Sequence, residues 1–193
     1  MRIAAGKYRG RSLKAPKGAA VTRPTQVYLR EAVFNICQHD IEGAHFLDLF
    51  AGTGSMGFEA LSRGAAHVTF VENDRTALRY IKENALMLGV EGSVTIIAGD
   101  VFKALTKFAR NGGKYDIIYI DPPYARKDTL ADDELYAGDS ALAIIEEKGL
   151  LKPSGTIFVE GPRKRWKNGY EPTTLVLKSS RSFSVSMLKQ YIL

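Results

Sequence analysis

The sequence predicts an α/β fold with a doubly wound, mostly parallel sheet, and three observations carry that expectation. Phe46-Leu47-Asp48-Leu49 leads into Phe50-Ala51-Gly52-Thr53-Gly54-Ser55-Met56-Gly57, which reads as a strand entering a glycine-rich turn and then a helix. The apolar run Tyr115-Asp116-Ile117-Ile118-Tyr119-Ile120 stops abruptly at Asp121-Pro122-Pro123-Tyr124. Elsewhere short apolar runs alternate with amphipathic stretches, the pattern of strand-helix-strand units.

The chain begins with its most basic part. Residues 1–30 hold Arg2, Lys7, Arg9, Arg11, Lys14, Lys17, Arg23 and Arg30 and no acid, a local charge of +8 against a net of +6, so the remainder sums to −2. Tyr8 interleaves with these cations, and Gly6, Gly10, Pro16 and Gly18 break the stretch into short extended pieces. The pattern reads as a hairpin or arm over residues 1–24 ahead of a domain over 25–193. Its cations suit nucleic-acid phosphates, and the predicted contacts are Arg2, Lys7, Arg9, Arg11, Lys14, Arg23 and Arg30. A solvated tail is the alternative.

Thr25 is the expected cap of a helix through Cys37. After the strand at Phe46–Leu49, Gly52, Gly54 and Gly57 satisfy the G-x-G-x-x-G spacing, and the helix runs through Phe58 to Arg63 with Gly64 as its stop. A second strand, His67–Val71, ends at Glu72, twenty residues after Gly52, the spacing of an acid that binds ribose hydroxyls. Asp74 caps the next helix, where Leu78, Ile81, Ala85 and Leu88 form an apolar stripe before Gly89. A third strand, Val94–Ala98, ends at Gly99-Asp100-Val101, followed by a helix near Val101–Ala109 and the loop Asn111-Gly112-Gly113.

Strand, turn, helix, strand and acid in this order predict an adenosine-containing ligand. Nicotinamide cofactors and S-adenosylmethionine both qualify. Asp48 favours the second, because a carboxylate four residues before Gly52 repels a pyrophosphate but receives the amino group of a methionine moiety. Asp100 stands where it can accept from an adenine amine, with a helix cap as the alternative. The predicted cofactor set is Asp48, Gly52, Thr53, Gly54, Glu72, Asn73, Asp100 and Val101.

Tyr115–Ile120 reads as a buried strand, and its carboxyl end is where an open α/β sheet binds ligands. Two prolines cannot extend the ladder, so the chain turns with Asp121 fixed at the edge and Tyr124 displayed beyond it. A carboxylate, the Pro122 carbonyl and an aromatic face together can accept both hydrogens of an exocyclic amine and stack on its ring. The implied substrate is an amino-bearing nucleobase, with an ordinary turn as the alternative. Further on come a helix near Ser140–Glu147, a turn at Lys152-Pro153-Ser154-Gly155 and a strand at Thr156–Glu160. The basic cluster Arg163-Lys164-Arg165-Trp166-Lys167 follows, then strands near Thr173–Lys178 and Ser184–Ile192.

With 193 residues, 45% of them hydrophobic, the chain can bury one substantial core. No apolar run approaches the ~20 residues of a membrane helix, and Arg2 and Lys7 precede no hydrophobic signal core, so a cytoplasmic location is expected. Cys37, the single cysteine, lies among Val33, Phe34 and Ile36 as a small core residue. His39, His45 and His67 show no ligand spacing, so no metal site is expected.

On these residues the chain resembles the class I S-adenosylmethionine-dependent methyltransferases. Within them it is similar to the RsmD family, which methylates the N2 amine of a guanine in small-subunit (16S) ribosomal RNA. The likeness covers nearly the whole chain, from Met1-Arg2-Ile3-Ala4-Ala5-Gly6-Lys7-Tyr8-Arg9-Gly10-Arg11 through Thr22-Arg23-Pro24-Thr25 and Arg30-Glu31-Ala32-Val33-Phe34-Asn35. It continues through Leu47–Gly54, Phe70-Val71-Glu72 and Asp121-Pro122-Pro123-Tyr124. The resemblance implies a Rossmann-like, seven-stranded sheet with its last strand antiparallel, S-adenosylmethionine as cofactor, and a monomeric enzyme. Its implied partner is 16S ribosomal RNA, naked or within an assembling small ribosomal subunit. Asp121 and the Pro122 carbonyl then hold the amine for in-line transfer while Tyr124 stacks on the base. Rival readings are an amino methyltransferase acting on adenine or cytosine of RNA or DNA, a nicotinamide-dependent oxidoreductase, and a non-catalytic RNA-binding assembly factor. Removing residues 1–20 is expected to weaken RNA binding and leave cofactor affinity little changed.

Overall fold

The computed structural model describes residues 1–16, 24–123, 136–163 and 170–193. Strands β1 (His45–Leu49), β2 (His67–Glu72), β3 (Val94–Ala98), β4 (Tyr115–Ile120) and β5 (Leu151–Pro162) run parallel. With β6 (Val176–Phe183) and β7 (Ser186–Ile192) they form a seven-stranded sheet in the order β3-β2-β1-β4-β5-β7-β6. Strand β7 is antiparallel to both neighbours, as the resemblance implied. From β1 the chain steps outward to β2 and β3, then returns to place β4 on the other side of β1. The carboxyl ends of β1 and β4 therefore flank the topological switch point, the crevice where such sheets bind ligands.

Alternation along each strand builds two cores. Phe46, Phe70, Tyr119 and Phe158 pack with Val33 and Phe34 of α1 (Pro24–Ile36), Phe58 and Ala60 of α2 (Ser55–Ser62) and Ile81 and Ala85 of α3 (Arg75–Leu88). Leu47, Leu49, Ile118, Ile120, Ile157 and Val159 point to the opposite face. There they meet Val101 and Leu105 of α4 (Val101–Arg110) and Leu142 and Ile145 of α5 (Ala137–Lys148).

Most element boundaries follow the sequence reading. Asp74 caps α3 by accepting from the Ala77 amide at 2.7 Å, and Gly89 ends it with φ 67°. Cys37 is buried, and desolvation pushes its thiol up to about 12, as suits an inert core residue. Four boundaries differ. α1 starts at Pro24, so Thr25 lies inside its first turn, and proline at a helix start suits the fixed φ of its ring. α5 begins at Ala137, three residues before Ser140. Lys152–Gly155 lies within β5, where the β4 register jumps from Leu151 to Thr156 between Tyr115 and Ile117, so the expected turn is a bulge. The carboxyl-terminal hairpin turns at Ser184, φ 45°, which shifts β6 and β7 later than expected.

The amino-terminal hairpin exists and is fastened to the sheet domain. Arg2 bridges Ser12, and the Ile3 amide donates to the Arg11 carbonyl at 3.0 Å. Ile3 and Leu13, 2% and 6% exposed, enter the core beside α1, α2 and α3. Buried Glu59 of α2 accepts from the amides of Ala4 (2.8 Å) and Ala5 (3.1 Å). Buried Asn84 of α3 accepts from the Lys14 amide at 2.7 Å and donates to its carbonyl at 3.1 Å. Gly6, φ 80°, lies against the end of α2, where an added Cβ would stand 1.7 Å from the Ser62 carbonyl oxygen.

Candidate active site

The turn after β1 reverses direction through left-handed residues: Phe50 (φ 60°), Gly52 (φ 54°) and Gly54 (φ 83°). Phe50 adopts this conformation without being glycine, an unfavourable backbone state that the surrounding structure must hold. Gly57, by contrast, serves close packing, since a Cβ there would lie 2.2 Å from the Phe70 ring. This lets α2 sit tightly on β2, while the space beside Gly52 stays open.

Two acids grip this turn. Asp48, 2% exposed, accepts from the Gly57 amide at 2.9 Å. Burial pushes its carboxyl up to about 8; the Gly57 hydrogen bond opposes the shift and the Glu72 charge adds to it. Glu72, expected to bind ribose hydroxyls, accepts here from the amides of Gly52 (2.7 Å), Asn73 (2.8 Å) and Asp74 (2.8 Å), and so braces the backbone of the turn. Asp100 caps α4 through the Lys103 amide at 3.0 Å, the alternative reading of that residue. Val101 opens the same helix, and the Thr53 carbonyl accepts from Asn84 at 3.4 Å.

A cleft of about 260 Å³ opens at the switch point, lined among others by Met1, Arg30, Gly52, Thr53, Asp121 and Glu160. Asp121 ends β4, and its amide is 3.5 Å from the Leu49 carbonyl. Its carboxyl is raised well above the ordinary range, first by burial, then by the charges of Glu160 and Asp48. Pro122 is buried and Pro123 exposed, so the chain leaves the sheet at once. Tyr124 lies outside the described residues, as do Lys17, Arg23 and positions 164–169.

The predicted phosphate contacts separate into two groups. Arg2, Lys7, Arg9, Arg11 and Lys14 are exposed on the hairpin, with Lys14 also 3.3 Å from Glu83. Arg30 is only 6% exposed. It lines the cleft, donates to the Met1 thioether and the Arg2 carbonyl, and stands 3.8 Å from the Glu59 carboxylate. It therefore reaches a ligand only through the cleft and not from the open surface of the hairpin.

One acid of the cleft escaped the sequence reading. Glu160, 7% exposed, accepts from the Tyr119 hydroxyl at 2.8 Å, and its carbonyl accepts from the Tyr136 hydroxyl at 3.3 Å. An acid closing the apolar run Ile157-Phe158-Val159 was the available signal. Among the described residues no group of His, Cys, Asp and Glu could hold a metal ion, and no helix is long and apolar enough to cross a membrane.

The family model described as conserved hypothetical protein 95 matches residues 1–192. Ribosomal RNA small subunit methyltransferase D of Escherichia coli (strain K12) is 35% identical over 160 residues, 83% of this chain and 74% of that one. Its namesake in Haemophilus influenzae is 33% identical over 160 residues, 83% of this chain and 78% of that one. The solved structure of a hypothetical protein from Thermus thermophilus has a TM-score of 0.78 at 30% identity, covering 100% of this chain and 99% of that one. The chain belongs to the conserved hypothetical protein 95 family, the family of the ribosomal RNA small subunit methyltransferase D proteins.

Proposed function

We propose that this protein methylates the N2 amine of a guanine in small-subunit (16S) ribosomal RNA. The observation that carries the reading is the placement of Asp121 at the carboxyl end of β4, in one cleft with the glycine turn after β1. S-adenosylmethionine, when bound, supplies an electrophilic methyl group on a positively charged sulfur. The chain's residues fit it. Asp48 is a buried acid whose charge lacks a cationic partner among the described residues, which suits an ammonium group; Glu72 stands at the end of β2, and the space beside Gly52 is open. Thr53, Gly54, Asn73, Asp100 and Val101 complete the proposed set around the turn and the ends of β2 and β3.

An exocyclic amine is a weak nucleophile because its lone pair is delocalised into the ring. Asp121 and the Pro122 carbonyl accept its two hydrogens and hold the nitrogen for in-line attack, and Tyr124 stacks on the base flipped out of its helix. As the nitrogen–carbon bond forms, positive charge grows on the nitrogen, and the Asp121 carboxylate stabilises it and then takes the departing proton. The exposed hairpin cations supply phosphate contacts, so residues 1–24 form the RNA-binding unit and 25–193 the catalytic one. In this reading the protein acts as a cytoplasmic monomer, with 16S ribosomal RNA, naked or within an assembling small subunit, as its substrate.

The test is labelled methyl transfer to ribosomal RNA from cells lacking this protein, followed by nucleoside mass analysis. N2-methylguanosine is the expected product. Label on an adenine or cytosine amine, or none at all on either the free RNA or small subunits from the same cells, would overturn the assignment.

A further inference from the structure

A strand of RNA that places a base in the cleft brings its phosphates to the rim, and the middle of this chain repels them. Residues 31–162 hold 20 acids against 12 cations, and Asp121 and Glu160 line the cleft itself. A polyanion crosses such a surface where cations flank it on both sides. The amino-terminal hairpin supplies one flank. It is bonded to α2 and α3, the helices joining β1 to β2 and β2 to β3, and so lies over the half of the sheet on one side of the switch point. Strands β5, β7 and β6 lie on the other side. There residues 172–193 hold Lys178, Arg181 and Lys189 and no acid.

Strand register separates these three cations. Ile120 pairs with Val159, so the next rung sets Asp121 beside Glu160; Glu160 pairs with Leu188, and Leu188 with Arg181. Directly paired residues share a face, so Asp121, Glu160, Leu188 and Arg181 follow one another across four strands on one face at the carboxyl edge. Leu188 belongs to the core that also takes in Ile3 and Leu13, so this is the face that carries the amino-terminal hairpin. Lys189 pairs with Val159 on the opposite face, towards Asp139. Lys178 falls at the β6 bulge between Leu177 and Ser179, nearer the other end of the strand. Arg181 is exposed and makes no ion pair among the described residues. Phe183, two residues further along the same face, packs against the core and holds this end of the strand in place. Three strand spacings put the Arg181 backbone about 14 Å from that of Asp121, a span that an extended arginine and a short stretch of RNA backbone cover together.

We infer that Arg181 binds a backbone phosphate close to the target base, so that the RNA strand crosses the cleft from the amino-terminal hairpin to β6. The inference rests on the reading of RNA as the substrate. A guanidinium fork matches a phosphate with two parallel hydrogen bonds, which fixes the strand as well as attracts it. A cation on an edge strand can also serve only to discourage pairing with another chain, a role for which Lys178 and Arg181 are equivalent.

The test exploits that equivalence. Arg181→Gln and Lys178→Gln each remove one exposed positive charge from β6, so only a local contact tells them apart. Binding is measured across salt concentrations for full-length protein saturated with S-adenosylhomocysteine, on the ribosomal RNA or small subunit that the wild type methylates. Arg181→Gln should flatten the log-log salt slope by roughly 0.7 to 0.9, so over a fourfold dilution of salt the wild type should gain about threefold more affinity than the variant. Lys178→Gln should keep the wild-type slope, and Arg181→Lys should retain most of it. Melting temperature and cofactor affinity should stay at wild-type values in all three. A benzoylphenylalanine photo-crosslinker in place of Arg181 should attach within a few nucleotides of the methylated position. A folded Arg181→Gln protein with the wild-type slope, equal flattening by both Gln variants, or cross-links confined to distant nucleotides overturns the Arg181 contact and leaves the RNA reading standing. A wild type that methylates neither ribosomal RNA nor small subunits overturns that reading, and the contact with it.

Discussion

Replacing Asp48 with Asn should change how stability responds to pH, because burial holds this carboxyl up to about 8 against an ordinary value of 3.8. The sign follows from proton linkage. A group whose folded pKa is raised contributes most below its unfolded value and loses that contribution as pH rises toward its folded value. One pKa unit is worth about 1.36 kcal/mol, so ionising Asp48 should cost the folded wild type about 3 to 4 kcal/mol between pH 5 and pH 8. Asn keeps an oxygen for the Gly57 amide and does not titrate. Any penalty for its buried amide hydrogens is an offset independent of pH, and groups common to both proteins largely cancel. Denaturant unfolding at pH 5, 6, 7 and 8 should show Asp48→Asn gaining on the wild type throughout, with a relative melting shift of roughly 10 °C across the window. On the proposed role of Asp48, cofactor binding should be proton-linked as well. Wild-type affinity for a positively charged ligand should rise up to about tenfold per pH unit below 8 and then level off, while the variant binds weakly at every pH. A stability difference that stays constant from pH 5 to pH 8 would refute the desolvated-acid account.

Further outcomes follow from the same geometry. Asp121→Ala should lose about a hundred to a thousandfold in single-turnover methyl transfer at saturating cofactor, with cofactor affinity by calorimetry largely retained. Because Asp121 is repelled by Glu160 and Asp48, the variant should also unfold at a temperature no lower than the wild type. Arg9→Gln with Arg11→Gln changes only exposed side chains, so melting should not move, while the log-log salt slope of RNA binding should fall by roughly 0.7 to 0.9 for each lost phosphate contact. Deleting residues 1–16 is a different perturbation. It uncovers the pockets of Ile3 and Leu13 and strips Glu59 and Asn84 of backbone partners, so it should cost about 3 to 5 kcal/mol by denaturant titration and weaken cofactor binding; a truncated protein with native stability would contradict the docked hairpin.

What could be read from the sequence was local. The glycine turn, Asp48, Glu72 and Asp121 all lie at strand ends marked by spacing or by a proline stop, and the structure puts them at the switch point. Glu160 and Glu59 were missed because their significance depends on partners distant in sequence: Tyr119 lies 41 residues from Glu160 and Ala4 lies 55 from Glu59. The start of α5 was hidden by Gly138, which reads as a helix breaker. In the structure it allows close approach instead, since a Cβ there would lie 2.8 Å from the Tyr136 ring and 3.2 Å from Val159. The shift at β6 has another cause. It is an edge strand with most residues exposed, so the period-two alternation that marks a half-buried strand is absent.

The hairpin changes what its charges can do. A solvated arm would neutralise phosphates while moving freely, and its loss would leave the cofactor turn untouched. Here the hairpin backbone is bonded to the two helices that hold that turn. Glu59 lies on α2, which leaves the glycine turn, and Asn84 joins both the amide and the carbonyl of Lys14 to the Thr53 carbonyl within it. These polar groups are buried, and hairpin amides left without partners there would cost free energy, so the hydrogen bonds fix position as well as add stability. The exposed cations and the glycine turn thus belong to one body, so on the proposed reading RNA bound by the hairpin would be held in register with the cleft. Side-chain substitutions on the hairpin should therefore tune affinity alone, whereas cutting its backbone should disturb both binding sites together.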